Sequence, residues 1–255
     1  VQLCQTPEMA AEVTLQPMRR FALDASIIFS DILIPCLGVG QKLSFGKGHG
    51  PILEPALQDP ALISSMLKDS EGNSAANFSY VYEALTKVRS QLADDKTLIG
   101  FAGAPFTVAS YMIEGGSSKT FYHTKTMFWQ HPESYHALMS RLSELTVGYL
   151  KSQIDAGAEV VMLFDSWAGQ LSTEDYPEAA KKYVAQICSQ LKKLSPQTPI
   201  IYFPGQGADR LHLLGGLNID VVSVDWRTDL AVAKERIALS FPQKGSDIVL
   251  QGNLD

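Results

Sequence analysis

Short, nearly continuous apolar runs recur along the chain and alternate with longer amphipathic segments. Strands that are buried on both faces of a sheet have this length and composition, because neither face of such a strand meets water. Six runs fit the pattern, at residues 25–31, 98–103, 159–165, 199–203, 221–225 and 247–252. The sequence therefore predicts six strands of the kind found in parallel sheets.

The amphipathic segments between these runs carry helix start and stop signals. Thr6 and Pro7 supply a capping residue followed by a proline at the first helical position. A long helix is expected to begin at His131 and to end near Gly157, a residue that readily adopts the left-handed conformation that closes helices. Two more are predicted over residues 172–194 and 229–239.

Alternating strands and helices predict an α/β fold with a parallel sheet and right-handed crossovers. A closed (β/α)8 barrel and an open doubly wound sheet both have this alternation. The first strand lacks the glycine-rich phosphate turn of the open sheet, and polar residues follow several strands, as in barrels. We favour a (β/α)8 TIM barrel that is incomplete in residues 1–255, with a hairpin insertion within 36–55 and a loop at 70–77.

Composition and charge exclude several classes of function. The 255 residues are 45% hydrophobic and 19% charged, as in globular proteins, and the formal charge of −6 disfavours general nucleic-acid binding. No apolar run approaches membrane-spanning length. The cysteines Cys4, Cys36 and Cys188 are widely spaced and the five histidines show no ligand spacing, so we expect neither a disulfide framework nor a metal site.

One carboxylate lies at the outgoing end of the first predicted strand. Ile27, Phe29 and Asp31 share one face of this strand, since side chains alternate with a period of two. Asp31 is therefore either a functional acid in an apolar environment or a cap for the turn that follows.

The same alternation separates two neighbours in the motif FDSWAG at 164–169. Phe164 and Ser166 share one face of the strand, and Asp165 lies on the other. If Phe164 faces the barrel interior, Ser166 enters the pocket and Asp165 faces the helices as a structural hydrogen-bond acceptor. Ser166 could also be an ordinary turn residue, because no His or Lys partner marks it as a nucleophile.

A third group of residues follows the second predicted strand, at residues 100–119. Gly103 and Pro105 turn this strand into a short helix that carries Tyr111, which is either a functional residue or a core aromatic. The loop Gly115–Ser118 could hold an anion with its backbone N–H groups, although the glycine pattern is a weak signature.

Together these motifs resemble the uroporphyrinogen decarboxylase family in order and spacing across essentially the whole chain. The resemblance rests on FSDI, GFAGAPFT, YMIEGGSSK, FDSWAG, VDW, LQGNLD and the segment EVTLQPMRRF. It implies an enzyme that decarboxylates the four acetate side chains of uroporphyrinogen III to give coproporphyrinogen III in tetrapyrrole biosynthesis. It also implies a (β/α)8 barrel, a cytoplasmic homodimer, and no metal or organic cofactor.

The resemblance also assigns roles to individual residues. Asp31 matches the pocket aspartate that binds the pyrrole N–H groups, and Tyr111 and Ser166 match polar residues that contact the reacting acetate or neighbouring carboxylates. We therefore expect Asp31 and Tyr111 to be catalytic. The remaining substrate-binding residues are the apolar walls Ile27, Phe29, Phe101 and Phe164.

The chain departs from the family pattern in several places. The family's N-terminal arginine segment and C-terminal histidine segment have no counterpart in residues 1–255. We therefore expect a single domain that is truncated at both ends relative to the family, and residues 1–255 alone to lack the proton-donating arginines. Smaller differences are Phe106, where the family often has Trp, and residues 203–207, where it usually carries a Lys-Gly pair.

Two alternative functions remain open. The first is a non-catalytic tetrapyrrole-binding remnant of the family. The second is a corrinoid-linked methyltransferase of the same superfamily, which would need His and Cys zinc ligands near strand ends. The placement of the three cysteines disfavours the second, because Cys4 and Cys188 lie in predicted helices and Cys36 has no HxC partner.

Overall fold

The computed structural model describes residues 2–46, 50–73, 75–242 and 247–254. Its strands are β1 (Ala25–Ile27), β2 (Lys42–Phe45), β3 (Pro51–Glu54), β4 (Thr97–Gly103), β5 (Val160–Asp165), β6 (Ile200–Pro204), β7 (Val221–Ser223) and β8 (Val249–Gln251). Six of them form one parallel sheet in the order β1-β4-β5-β6-β7-β8, and β2 and β3 form an antiparallel hairpin. All six strands expected from the apolar runs are present.

The strand order distinguishes between the two architectures that the sequence allows. A doubly wound sheet reverses its strand order at a switch point, whereas a barrel adds each new strand on the same side of the one before it. Here the strands of the large sheet follow one another in chain order, and every neighbouring pair is parallel. This is the winding of a (β/α) barrel.

Helices cover the outer face of the sheet. They are α1 (Gln2–Gln5), α2 (Pro7–Arg20), α3 (Ile34–Gly38), α4 (Pro60–Asp69), α5 (Ser79–Arg89), α6 (Pro105–Glu114), α7 (Tyr122–Gln130), α8 (Pro132–Asp155), α9 (Lys182–Leu194) and α10 (Leu230–Ser240). The expected signals are in place, since α2 and α8 begin at prolines and Gly157 has a φ of +110° just after α8. Thr6 is the N-cap residue of α2, although its side chain makes no capping hydrogen bond.

The structure corrects three element boundaries. Residues 172–176 precede the helical segment, which starts as a π-helical turn at Pro177–Lys181 and continues into α9. The hairpin within 36–55 is smaller than expected because α3 occupies its first residues, and Lys47–His49 at its tip lie outside the described residues. The expected loop at 70–77 contains Ser74, which is also outside them, and a 3-10 helix at Ala75–Phe78.

The two faces of the sheet differ in burial. Leu98, Val161 and Leu163 point toward the helices and are fully buried. The side chains that alternate with these along the strands point to the opposite, inner face of the sheet. There Ile27 on β1 is 42% exposed and Phe164 on β5 is half-buried. The inner face of the sheet therefore forms the wall of a cavity, and the outer face belongs to the core.

Candidate active site

The first strand is shorter than its apolar run, and its early end shapes the site. The ladder to β4 closes with the Ile28 N–H, which donates to the Ile99 carbonyl at 3.0 Å. Beyond this point the Phe29 N–H donates to Thr14 Oγ1 of α2 at 2.8 Å. Residues 29–31 thus leave the sheet, and the expectation of a strand over 25–31 holds only for its first half.

The gap that β1 leaves beside β4 is filled by a buried side chain from α8. The Gln153 amide accepts the Phe101 N–H and donates to the Phe101 carbonyl, both at 2.9 Å. The adjacent Gly100 makes room for this amide, since a Cβ there would lie 2.6 Å from Gln153 Oε1. Gln153 therefore completes the backbone hydrogen bonds of β4 where its neighbouring strand has departed.

A cavity of about 550 Å³ opens at the carboxyl ends of β1, β4 and β5. Its lining includes six of the seven residues that the sequence and the family resemblance placed in the substrate pocket: Ile27, Phe29, Asp31, Phe101, Phe164 and Ser166. Of the described residues that line it, Asp31 alone carries an ionisable side chain. The cavity is thus a mainly apolar pocket with one carboxylate and a few hydroxyl groups in its wall.

Asp31 is partly buried and is fixed by the turn that follows it. Its Oδ1 accepts the Leu33 N–H at 2.8 Å, as in an Asx turn. Burial raises the pKa of the Asp31 carboxyl, and the hydrogen bond from Leu33 opposes this shift. Gly103 lets this segment pass close to β4, since a Cβ there would lie 2.6 Å from the Ile32 carbonyl oxygen.

Aromatic rings from three adjacent strands pack against one another, and two of them line the pocket. The rings of Phe101 and Phe164, which line it, meet edge to face with centroids 5.5 Å apart. Phe164 in turn contacts Phe203 of β6 at 6.1 Å, again edge to face. Such contacts fix the orientation of the two rings that share the cavity wall with Asp31.

The end of β5 separates Ser166 from Asp165 as the strand alternation predicts. Ser166 lines the cavity, whereas Asp165 is completely buried on the side of the helices. Asp165 accepts hydrogen bonds from the hydroxyls of Thr107 at 2.8 Å and Tyr202 at 2.9 Å. Burial raises the pKa of Asp165 to about 6, and these two hydroxyls oppose the shift.

Tyr111 is not among the residues that line the cavity. Its ring packs against that of Trp167, with centroids 5.8 Å apart. Burial raises the pKa of the Tyr111 hydroxyl, and the charge of Asp31 adds to this shift. Tyr111 is therefore close enough to Asp31 to sense its charge, although it does not line the cavity.

Helix α2 contributes a wall of the cavity that the sequence did not predict. Thr14, Pro17 and Met18 line the cavity opposite the phenylalanines. Their spacing of three and four residues indicates one helix face, but nothing in the pattern distinguishes a cavity wall from ordinary core packing. The loop Gly115–Ser118 is not part of the lining either, because it runs beside β3, where Gly116 forms a bridge to Ile52.

Within the described ranges, no three His, Cys, Asp or Glu side chains are close enough together to hold a metal ion. Cys36 and Cys188 are buried, and Cys4 is half-buried. No helix in the described part of the chain is long and apolar enough to cross a membrane.

Comparison with known proteins shows what the chain is similar to. The fold as a whole is similar to that of a methyltransferase from Methanosarcina mazei, with a TM-score of 0.75 over 98% of this chain and 70% of that one. Their sequences are only 17% identical, so this similarity concerns the fold alone. It supports the barrel class that the strand order indicates.

The sequence relatives are considerably closer. The model of the family described as uroporphyrinogen decarboxylase matches residues 1–255. The uroporphyrinogen decarboxylase of Aliarcobacter butzleri is 41% identical over 99% of this chain and 71% of that protein. Those of Carboxydothermus hydrogenoformans and Nitrosococcus oceani are 40% and 43% identical, over 100% and 99% of this chain and 69% of each relative. The chain therefore belongs to the uroporphyrinogen decarboxylase family.

Proposed function

We propose that this protein is a uroporphyrinogen decarboxylase, which converts the four acetate side chains of uroporphyrinogen III to methyl groups and yields coproporphyrinogen III. The observation that carries the proposal is the single carboxylate, Asp31, in a mainly apolar cavity at the carboxyl ends of the strands. Relatives at about 40% identity that carry this name support it. The position is the one at which barrel enzymes build their active sites.

The reaction presents a specific electronic problem. At each acetate, the bond between the methylene carbon and the carboxylate breaks, CO2 leaves, and a proton replaces it to give a methyl group. Direct loss of CO2 would leave an electron pair on an unstabilised carbanion. Protonation of the adjacent pyrrole carbon first produces a cationic ring that accepts this pair, and the proton is returned when the exocyclic carbon is protonated. The catalyst must therefore stabilise a developing positive charge.

Asp31 is suited to this task. A carboxylate next to the pyrrole N–H groups can accept their hydrogen bonds and also offset the charge of the protonated ring. The Leu33 N–H fixes the Oδ1 atom, so the carboxylate is oriented before substrate binds. Substrate bound against the apolar wall of Phe101 and Phe164 would displace water from the carboxylate, which strengthens the attraction between the carboxylate and the cationic ring.

Ser166 and Tyr111 have different places in the proposal. Ser166 lines the cavity and offers a hydroxyl to the reacting acetate or to a neighbouring carboxylate arm. Tyr111 packs against Trp167 and does not line the cavity, so its proposed catalytic role requires its hydroxyl to be reached by an arm that extends past Asp31. Thus Ser166 is the nearer of the two candidate hydrogen-bond donors to the pocket.

We extend the proposal to the state of the protein. A hydrophobic core that runs from Ala10 to Phe241 supports a single (β/α) barrel domain over residues 1–255. The likeness to the family suggests a cytoplasmic homodimer that works without a metal or organic cofactor. Sedimentation of the purified protein measures the oligomeric state, and turnover after extensive chelation measures the need for a metal.

The decisive experiment follows the products of the purified protein incubated with uroporphyrinogen III under reducing, anaerobic conditions. Chromatography of the oxidised porphyrins should show species with seven, six, five and finally four carboxyl groups. One CO2 should be released for each carboxyl group lost. Tight binding of uroporphyrinogen III with no release of CO2 would instead support the non-catalytic remnant and contradict the proposal.

A further inference from the structure

The buried carboxylate of Asp165 is not used by the proposed chemistry, although both of its chain neighbours line the cavity. Phe164 and Ser166 face the pocket, whereas Asp165 faces α6 and has no exposed surface. Burying a carboxylate is costly unless hydrogen bonds replace its hydration. Here two hydroxyls do so, Thr107 from α6 and Tyr202 from β6.

The Thr107 hydroxyl connects this carboxylate to the backbone of the site. A threonine hydroxyl has one proton to donate and two lone pairs that can accept. The Thr107 hydroxyl donates its proton to Asp165 Oδ1, and its oxygen accepts the backbone N–H of Trp167 at 3.1 Å. Asp165 therefore orients the hydroxyl that holds the residue immediately after Ser166.

Trp167 carries the connection to the second proposed site residue. Its ring lies 5.8 Å from that of Tyr111 and 5.2 Å from that of Phe121. A continuous series of contacts thus runs from Asp165 through Thr107 and Trp167 to Tyr111.

We propose that Asp165 and Thr107 are positioning residues that hold Ser166 and Tyr111 in place for decarboxylation. The inference rests on the proposed function for the roles of Ser166 and Tyr111. Thr107 fixes the backbone on the carboxyl side of Ser166, and through the ring of Trp167 it positions the ring of Tyr111. Because catalysis depends steeply on geometry, a small shift of this turn lowers the rate of the chemical step more than it weakens substrate binding.

The second ligand of Asp165 provides a matched control. Tyr202 donates to Oδ2 of the same carboxylate, and its oxygen lies 3.0 Å from the Tyr176 hydroxyl and makes no hydrogen bond to Trp167 within the described residues. Removing the Tyr202 hydroxyl therefore costs Asp165 one hydrogen bond without releasing the turn. Removing the Thr107 hydroxyl likewise costs Asp165 one hydrogen bond, and it also removes the acceptor of the Trp167 backbone N–H.

The test compares Thr107→Val, Thr107→Ser and Tyr202→Phe with the wild-type protein. We expect Thr107→Val to lower kcat for the first decarboxylation about 10- to 100-fold with KM changed less than threefold. Thr107→Ser, which keeps the hydroxyl, should restore most of the rate. The kcat of Tyr202→Phe should stay within about threefold of the wild-type value, even if this variant loses as much Tm as Thr107→Val. Equal losses of kcat in Thr107→Val and Tyr202→Phe would overturn the proposal and leave Asp165 a purely structural role.

A readout that is independent of turnover separates this proposal from the proposed function. Hydrogen exchange of the Trp167 backbone N–H, assigned by NMR, reports directly on its hydrogen bond to Thr107 Oγ1. Exchange should be slow in wild type and Tyr202→Phe and faster in Thr107→Val. Faster exchange with unchanged kcat would overturn the positioning role, and a wild-type protein that releases no CO2 would contradict the proposed function instead.

Discussion

The carboxylate of Asp31 accepts the backbone N–H of Leu33 at 2.8 Å while it lines the cavity. The hydrogen bond shows that Asp31 caps the turn, which is one of the two roles that the sequence left open, and the proposed role as a functional acid rests on its place in the cavity wall. The bond uses Oδ1, and Oδ2 receives no hydrogen bond from the described residues. The turn therefore orients the carboxylate and leaves its second oxygen available to the pyrrole N–H groups of the proposed substrate.

The acid limb of the pH–rate profile should report the titration of Asp31. Its pKa is raised by burial, so the carboxylate takes up a proton at a higher pH than the ordinary aspartate value of about 3.9. We expect kcat/KM to fall on acidification with a midpoint above that value, because only the ionised form offsets the charge of the ring. The nearby Cys4, Cys36, Tyr111 and Tyr149 have raised pKa values and stay neutral in this range.

Asp31→Asn is the control for this profile. The variant should lose the Asp31 limb and show a low rate that changes little over the same range of pH. An unchanged acid limb in Asp31→Asn would assign it to another group.

The pH dependence of stability should report the titration of Asp165. Burial raises its pKa from 3.8 to about 6 in the folded protein, so between these values the folded state binds a proton that the unfolded state has lost. The contribution of this proton to the free energy of unfolding is complete below about pH 4 and disappears as the pH rises through 6. It is on the order of 2–3 kcal/mol, because each tenfold change in proton affinity corresponds to about 1.4 kcal/mol.

Denaturant unfolding of wild type and Asp165→Asn between pH 4 and 7 measures this contribution. Subtracting the free energy of unfolding of the variant from that of wild type cancels the pH effects that both proteins share. This difference should decrease with rising pH. The tyrosines 135, 176 and 202 that surround the carboxyl have raised pKa values and do not titrate in this window. A difference that is flat with pH would contradict the shifted titration.

Gly103→Ala should disturb the site through the backbone. The added Cβ would lie 2.6 Å from both the Ile32 carbonyl oxygen and Val108 Cγ2, so the segment that carries Asp31 must move. We expect a loss of about 1–3 kcal/mol in stability, as for other overpacked positions, and a fall in kcat of at least tenfold. Gly72→Ala is the matched control, since nothing lies within 4 Å of its added Cβ. Normal turnover in Gly103→Ala would show that the Asp31 segment tolerates displacement.

Much of the fold and site could be predicted from the sequence because alternation of side chains is a strict geometric property. The parity of Phe164, Asp165 and Ser166 follows from the pleat, and it places two of them in the cavity and one among the helices. The early end of β1 could not be foreseen, because it depends on Thr14 and Gln153, which are distant in sequence and satisfy the backbone in place of a strand. The packing of Tyr111 against Trp167 is likewise a matter of tertiary structure.

Asp31→Asn, measured for turnover and thermal unfolding on the same preparation, tests most directly whether Asp31 is the electrostatic centre of the reaction. The substitution keeps the size of the side chain and an acceptor for the Leu33 N–H, but it removes the charge. We expect kcat to fall about 100-fold or more with Tm changed by only a few degrees, and Asp31→Glu to retain part of the activity. Near-normal turnover together with a loss of about 1 kcal/mol in stability would contradict this role and reduce Asp31 to a cap for the turn.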